Sequence, residues 1–303
     1  MIARRLHAYI LLVIVAVIWG VAASVIKFTQ QGIPTLPFLT YRFGIAAFYA
    51  LLFFFVTKSK LPNKLSDLWQ LTIYGLLMST VSLGLLFWGV QTTSIIEMNI
   101  ITSVAPLITS IIGVKLLSEH ITKREKVGLG IAMAGTLFTI FEPLVTNHGQ
   151  GIHVVGNLLI FLYVLVNAFA SLLGKRLLRK KISADVMTNF GFIVGFTSIA
   201  AISVYQLGSQ SIINSVINLD FKYHLGVLYM ALISGTLAYT LVNKAQKTIE
   251  IGEVAVFSYL LPIFGIPTAV LWLGEKITPG VIIGGMIIAI GVAIAETKKR
   301  RYN

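Results

Sequence analysis

The sequence predicts an all-α integral membrane protein in which ten transmembrane helices form two inverted five-helix repeats. Three observations carry this. First, the 303 residues are 56% hydrophobic and only 12% charged, with a mean hydropathy of +0.87, whereas soluble domains carry about 25% charged residues. Second, apolar runs of bilayer-spanning length fill almost the whole chain. Third, the stretch 92–135 recurs 156 positions later as 248–291. Thr92/Thr248, Ile95/Ile251, Glu97/Glu253, Pro106/Pro262, Val114/Val270, Leu117/Leu273, Glu119/Glu275, Ile121/Ile277, Thr122/Thr278, Gly128/Gly284, Ile131/Ile287 and Gly135/Gly291 coincide without a gap. Apolar composition alone would not align Glu, Pro and Gly in this way.

A helix needs about 20 apolar residues to cross a ~30 Å hydrocarbon core. The first run, 8–27, follows Arg4 and Arg5 like a signal-peptide start. It is too long for such a segment, and Lys27 stands where a cleavage site would, so it reads as a span. The second, 35–57, carries Arg42 seven residues in, roughly 10 Å along the helix. The third, 67–90, is diluted by Ser79, Thr80 and Ser82. The fourth, 94–117, opens with Glu97 and holds Pro106, and the fifth, 125–145, is rich in Gly. Residues 147–152 read as a turn that joins the first repeat, 1–146, to the second, 153–303. The second repeat supplies runs at 153–175, 185–206, 223–245, 249–273 and 277–296, the ninth holding Pro262 and Pro267.

Charge orients these runs. With the amino terminus inside, the inside segments hold Arg4, Arg5, Lys58, Lys60, Lys64, Lys115, Lys123, Arg124, Lys126, Lys175, Arg176, Arg179, Lys180, Lys181, Lys244, Lys247 and Lys298–Arg301, which is 20 of the 24 Lys and Arg. The outside keeps Lys27, Lys222 and Lys276. Both termini are therefore expected in the cytoplasm, at the cell membrane. Five spans per repeat is an odd number, so the second copy enters from the opposite side, giving inverted repeats about an axis in the membrane plane. The net charge of +13 thus reads as topology rather than nucleic-acid binding. With no cysteine, disulfides, thiolate metal sites and cysteine nucleophiles are excluded.

Polar side chains within spans are costly, so their distribution matters. They concentrate in the first, third, fourth, sixth, eighth and ninth runs, while the fifth and tenth are nearly pure Ile, Val, Ala and Gly. Single hydroxyls suit helix–helix hydrogen bonding; the set as a whole predicts a shared cavity. Asn99, Thr102 and Ser103 share one helical face, as do Asn167 with Ser171 and Tyr239 with Asn243. Trp19, Asn99, Ser103, Tyr163, Asn167, Tyr239 and Tyr259 are the expected substrate-binding lining, for a small molecule with hydrogen-bonding groups and an apolar or aromatic body. Pro106 and Pro262 are matched helix breaks, either packing kinks or pointers to a central site. Glu97 and Glu253 sit in first helical turns, where a carboxylate suits the helix dipole or carries proton coupling. Glu119 and Glu275 are expected to organise tight turns. Arg42 is expected either to snorkel to the outer surface or to pair with a substrate carboxylate. The Gly-rich faces are expected to pack within the chain, giving a monomer or at most a weak homo-oligomer.

No metal or cofactor is expected, and no enzyme site is drawn: all five His lie in loops or at span ends. The classes left open beside a carrier are an uncoupled channel or facilitator, and a membrane-embedded enzyme or lipid flippase.

Trp19-Gly20, Tyr41-Arg42-Phe43 and the doubled Pro…Leu-x-Glu-x-Ile-Thr arrangement ending at Thr122 and Thr278, on ten spans in two repeats, resemble the EamA family of the drug/metabolite transporter superfamily. The likeness covers essentially the whole chain, except that Trp19-Gly20 has Val166-Asn167 opposite it. It implies a transporter of a bacterial or archaeal cytoplasmic membrane, often an exporter of amino acids or related metabolites. It also implies a basket of spans one, three, four, six, eight and nine around a central cavity, with five and ten outside.

Overall fold

In the computed structural model, which describes residues 2–117, 123–145, 151–249 and 251–296, the described residues are helical with short connections. The turn at Glu119 and Thr122, residues 147–150 of the connection between repeats, and Lys298–Arg301 lie outside them. The first half comprises α1 (Ile2–Thr29), α2 (Thr35–Thr57), α3 (Leu65–Gly75), α4 (Leu83–Thr92), α5 (Ile95–Thr102), α6 (Ala105–Leu117) and α7 (Lys123–Val145). The second comprises α8 (Gly151–Arg179), α9 (Ala184–Leu207), α10 (Ser209–Ile217), α11 (Phe221–Leu228), α12 (Ala238–Thr248), α13 (Ile251–Val256), α14 (Leu261–Leu273) and α15 (Pro279–Glu296).

Seven helical stretches are long and apolar enough to cross a membrane, and Ile95–Thr109 and Pro279–Ala295 are shorter apolar helices. Their outer surface carries large bare hydrophobics, among them Leu271 at 86% and Phe55 at 83% exposure. A water-soluble monomer rarely exposes apolar patches on this scale. The chain is a multi-pass membrane protein.

Four expected spans are interrupted. Between α3 and α4 lies a π-helical segment, Leu76–Ser82, and between α11 and α12 lies another, Tyr229–Leu237. Moved by the same 156 positions, these segments overlap. The wider π turn shifts the backbone ladder by one residue, and within it the Thr236 side-chain hydroxyl donates to the carbonyl of Ala231, five residues back. Pro106 and Pro262 also take matching places. Pro106 is in the first turn of α6, after the Ser103–Val104 turn; Pro262 is in the first turn of α14, after a 3-10 turn at Phe257–Leu260. Proline lacks an N–H and fits a first turn, where no intrahelical partner exists for that group. The loop expected between 206 and 222 contains α10. Gly208, at φ 75°, ends α9 there and lets the chain restart as a helix.

Helix packing repeats between the halves. α1 lies on α14 and α12, as α8 lies on α6 and α4; α2 pairs with α9 and α7 with α15. The α7–α15 seam is the closest. A β-carbon on Gly128 would sit 2.5 Å from the Gly291 carbonyl oxygen, and one on Gly291 would sit 2.4 Å from the Ala132 nitrogen. Glycine there lets two backbones touch, and the buried polar side chains of α7, among them Thr139 and Glu142, pack at this seam against Gly284 and Gly280 and not in the cavity lining.

Candidate functional site

Between the halves is a cavity of about 170 Å³, below the roughly 300–1,000 Å³ of clefts for drug-sized ligands. Its walls come from α1, α3, α4, α5, α6, α8, α12, α13 and α14 and the irregular turns joining them, with Arg42 entering from α2; none comes from α7, α9 or α15.

The centre of α1 is tied to the second π segment from both sides. Trp19 Nε1 donates to the Ser234 carbonyl at 3.0 Å, and the Tyr229 hydroxyl donates to the Ile18 carbonyl at 2.7 Å. The Trp19 and Tyr239 rings lie 5.0 Å apart, and Phe192 continues the cluster edge-on to Tyr239. On α8 the four-residue spacing builds a ladder: Ser171 Oγ donates to Asn167 Oδ1 and Asn167 Nδ2 to the Tyr163 hydroxyl, at 3.3 and 3.1 Å. Across from it, Asn243 Nδ2 donates to Thr188 Oγ1 at 3.0 Å and lies 3.4 Å from the Tyr74 hydroxyl.

Of the residues expected to line a site, Trp19, Tyr163, Asn167 and Tyr239 meet at this cavity, and Arg42 joins them. Asn99, Ser103 and Tyr259 are not part of its lining. The Asn99 amide donates to the Ile95 carbonyl at 2.8 Å and fills the space that a β-carbon on Gly265 would need, 2.6 Å from it. The Ser103 hydroxyl donates to the Asn99 carbonyl at 2.8 Å, where it ends α5. A shared helical face is wide enough for one edge to meet a cavity and the other a neighbouring helix: Thr102 lines the cavity while Asn99 packs against α14. Ser79 and Thr80 bond to α9, through the Gly191 carbonyl at 2.8 Å and the Ser198 hydroxyl at 2.5 Å, so they serve packing. Tyr74 and Asn243 belong to the lining. Tyr74 has no local cue, because only its partner from the other half distinguishes it.

Arg42 does not reach the surface. It is 1% exposed, its guanidinium carbon 5.0 Å from the Phe87 ring centre and 5.1 Å from that of Phe43. The snorkelling alternative fails because the guanidinium is held between the Phe43 and Phe87 rings inside the bundle.

Both carboxylates expected at helix starts lie away from the cavity lining. Glu97 completes a capping box with Ser94, takes a 2.7 Å hydrogen bond from Thr93 Oγ1 and lies 3.8 Å from His153 Nδ1. Glu253 pairs with Arg5 at 2.8 Å and takes a bond from the Tyr9 hydroxyl at 2.8 Å. Glu275 does more than shape its own turn. It accepts from the amides of Ile95 and Ile96, at 2.9 and 3.1 Å, and from Lys27 Nζ at 3.0 Å. With Ser94 Oγ accepting from the Glu97 amide, the first three amides of α5 are capped by side chains. Lys27 also donates to the Thr93 carbonyl at 2.7 Å. Lys175 does the same to Ile249, the residue 156 positions after Thr93, at 2.7 Å.

The profile of the EamA-like transporter family matches the chain twice, over residues 6–141 and 154–297. A protein of Escherichia coli (strain K12) named "Probable amino-acid metabolite efflux pump" is 25% identical over 288 residues, covering 94% of this chain and 93% of that one. An uncharacterized transporter of Bacillus subtilis (strain 168), YetK, is 26% identical over 306 residues, covering 99% and 90%. A crystal structure with 16% sequence identity superposes with a TM-score of 0.67 over 98% of this chain and 100% of its own, a likeness of fold. The family and these named relatives are transporters, not enzymes. With both halves matched by one profile and a cavity lying between them, the chain belongs to the EamA-like transporter family.

Proposed function

We propose that this chain is a secondary transporter that exports small metabolites, such as amino acids or related compounds, by alternating access. Ten crossings form two inverted repeats, 1–146 and 153–303, joined at 147–152, with both termini in the cytoplasm. The observation that carries this reading is a cavity lined by both halves, whose surrounding helix contacts keep their pattern when the halves are exchanged. Such a structure has two related ways to close, one at each end of the cavity. One end is sealed by Lys27, Glu275 and the start of α5; towards the other the lining continues to Leu12, Gln246 and Val254. A sealed end favours a carrier over an open channel.

Trp19, Tyr163, Asn167 and Tyr239 contact the cargo; Asn99, Ser103 and Tyr259 shape the walls behind them. The lining holds no carboxylate among the described residues, so dependence on a proton gradient would enter through Glu97 or Glu253 at the ends. The named function of the relative from Escherichia coli supports export and the class of cargo.

The test is purified protein in liposomes, screened against amino acids and related metabolites with and without a pH gradient. Saturable, competable flux of a solute is expected. Flux that never saturates would establish a channel, and conversion or flipping of lipid without solute flux would overturn the carrier.

A further inference from the structure

We infer that the cavity selects a molecule bearing a carboxylate and no free ammonium group, with Arg42 as the residue that takes the carboxylate. This rests on the carrier reading above but departs from its amino-acid example, replacing free amino acids with related organic monoanions such as hydroxy, keto or N-acylated acids.

Among the described residues, Arg42 is the one charged side chain in the lining. A guanidinium stays protonated and presents five N–H donors in a fixed fork. Here it is 1% exposed, and Nε and Nη1 have no hydrogen-bond partner. The faces of Phe43 and Phe87 near the guanidinium carbon soften the charge but offer no acceptor for those donors. A buried, uncompensated charge is among the most destabilising features a protein keeps, so its retention calls for a partner that comes and goes. A planar carboxylate matches the fork with two parallel hydrogen bonds.

Two further observations separate this from a structural arginine. The fold does not need a cation at this place: α9, the second-half partner of α2, contains no Lys or Arg over Ala184–Leu207. Arg42 also borders the cavity rather than closed packing alone, since it belongs to the lining although it is carried by a helix that otherwise supplies none of it.

The rest of the lining fits the other end of such a molecule. The Trp19–Tyr239 pair offers an aromatic face, and the Tyr163–Asn167–Ser171 ladder offers neutral hydrogen bonds. Among the described residues the lining has no carboxylate to take an ammonium group, so a zwitterion would leave its positive end uncompensated beside a resident cation.

The experiment uses the full chain in detergent and three probes that share a phenyl ring: 3-phenyllactate (anion), phenylalanine (zwitterion) and phenethylamine (cation). Binding is read by tryptophan fluorescence and by the shift in thermal unfolding. Phenyllactate is expected to bind at least about tenfold more tightly than phenylalanine, with no binding of phenethylamine, because a desolvated charge without a partner is rejected strongly. Arg42→Gln should abolish the preference and Arg42→Lys should retain part of it. The wild-type series decides the matter even if the variants fail to fold. Equal or tighter binding of phenylalanine, failure of all three probes, or an Arg42→Gln protein that still prefers phenyllactate overturns the assignment. In the liposome screen, saturable flux of zwitterions with phenyllactate inert sinks the charge selection alone, whereas absence of any saturable solute sinks the carrier reading itself.

Discussion

At one end of α1, Lys27 meets Glu275 at 3.0 Å with the two side chains 30% and 11% exposed; at the other, Arg5 meets Glu253 at 2.8 Å with 49% and 34% exposed. By distance alone the two pairs are equivalent. Their surroundings are not. The Glu275 carboxylate also holds the first two amides of α5, and Lys27 also holds the carbonyl that ends α4, so one pair ties together α1, α4, α5 and the loop before α15. The Arg5 pair adds only Tyr9 of its own helix. Ion pairs of equal length therefore differ in what depends on them. Lower exposure and shared caps make the first a closure, while solvent screening leaves the second a latch that can part.

The sharpest way to break this comparison is Glu275→Ala. It strands Lys27 and uncaps two amides at once, and the loss of two caps with a half-buried ion pair destabilises by about 2 kcal/mol. A fall of several degrees in the thermal unfolding midpoint in detergent is expected, and it should persist at high salt. An unchanged midpoint would mean that the sealed end is no tighter than the other.

Access is the next measure. The chain has no cysteine, so single cysteines report cleanly. Val254→Cys, on the side towards which the lining continues, should react with a hydrophilic maleimide at least about tenfold faster than Ile26→Cys, which sits in a buried part of α1. Adding Glu275→Gln should narrow the ratio. Equal rates would remove the difference in closure.

The smallest effect is expected for Arg5→Ala, whose unfolding midpoint should stay within experimental error of the parent. Raising salt should mimic the substitution, since it screens exposed pairs. A loss comparable to that of Glu275→Ala would show both ends to be equally sealed.

Much of the fold is legible in the chain itself. Low charge and apolar runs announce membrane helices, and the recurrence of Pro106 as Pro262 and Glu97 as Glu253 marks the doubled unit. Trp19, Tyr163, Asn167 and Tyr239 could be picked because side chains with hydrogen-bonding groups concentrate in some spans and are scarce in others. The π segments were less visible, although Thr80 and Thr236 stand 156 positions apart within them. The widened turn at Tyr229–Leu237 is held from outside, by Trp19 and Tyr229 reaching between it and α1. The helix at Ser209–Ile217 was hidden by its shortness, since nine residues do not make a span.

Local physics therefore settles which segments are helices and that the unit is doubled. Apolar length, proline breaks and helix-start residues such as Ser94 act within a few positions of themselves. Which polar face meets which is a matter of three dimensions. Asn99 and Thr102 share a face, yet the bundle turns one to α14 and the other to the cavity; Glu275 finds its amides 180 residues away. Only the assembled bundle leaves Arg42 buried without an acceptor, because that depends on Phe87 of α4 and the backbone at Gly235 in the second π segment arriving around it. Charge compensation is a property of neighbours in space, and neighbours in space are what a one-dimensional order of residues does not list.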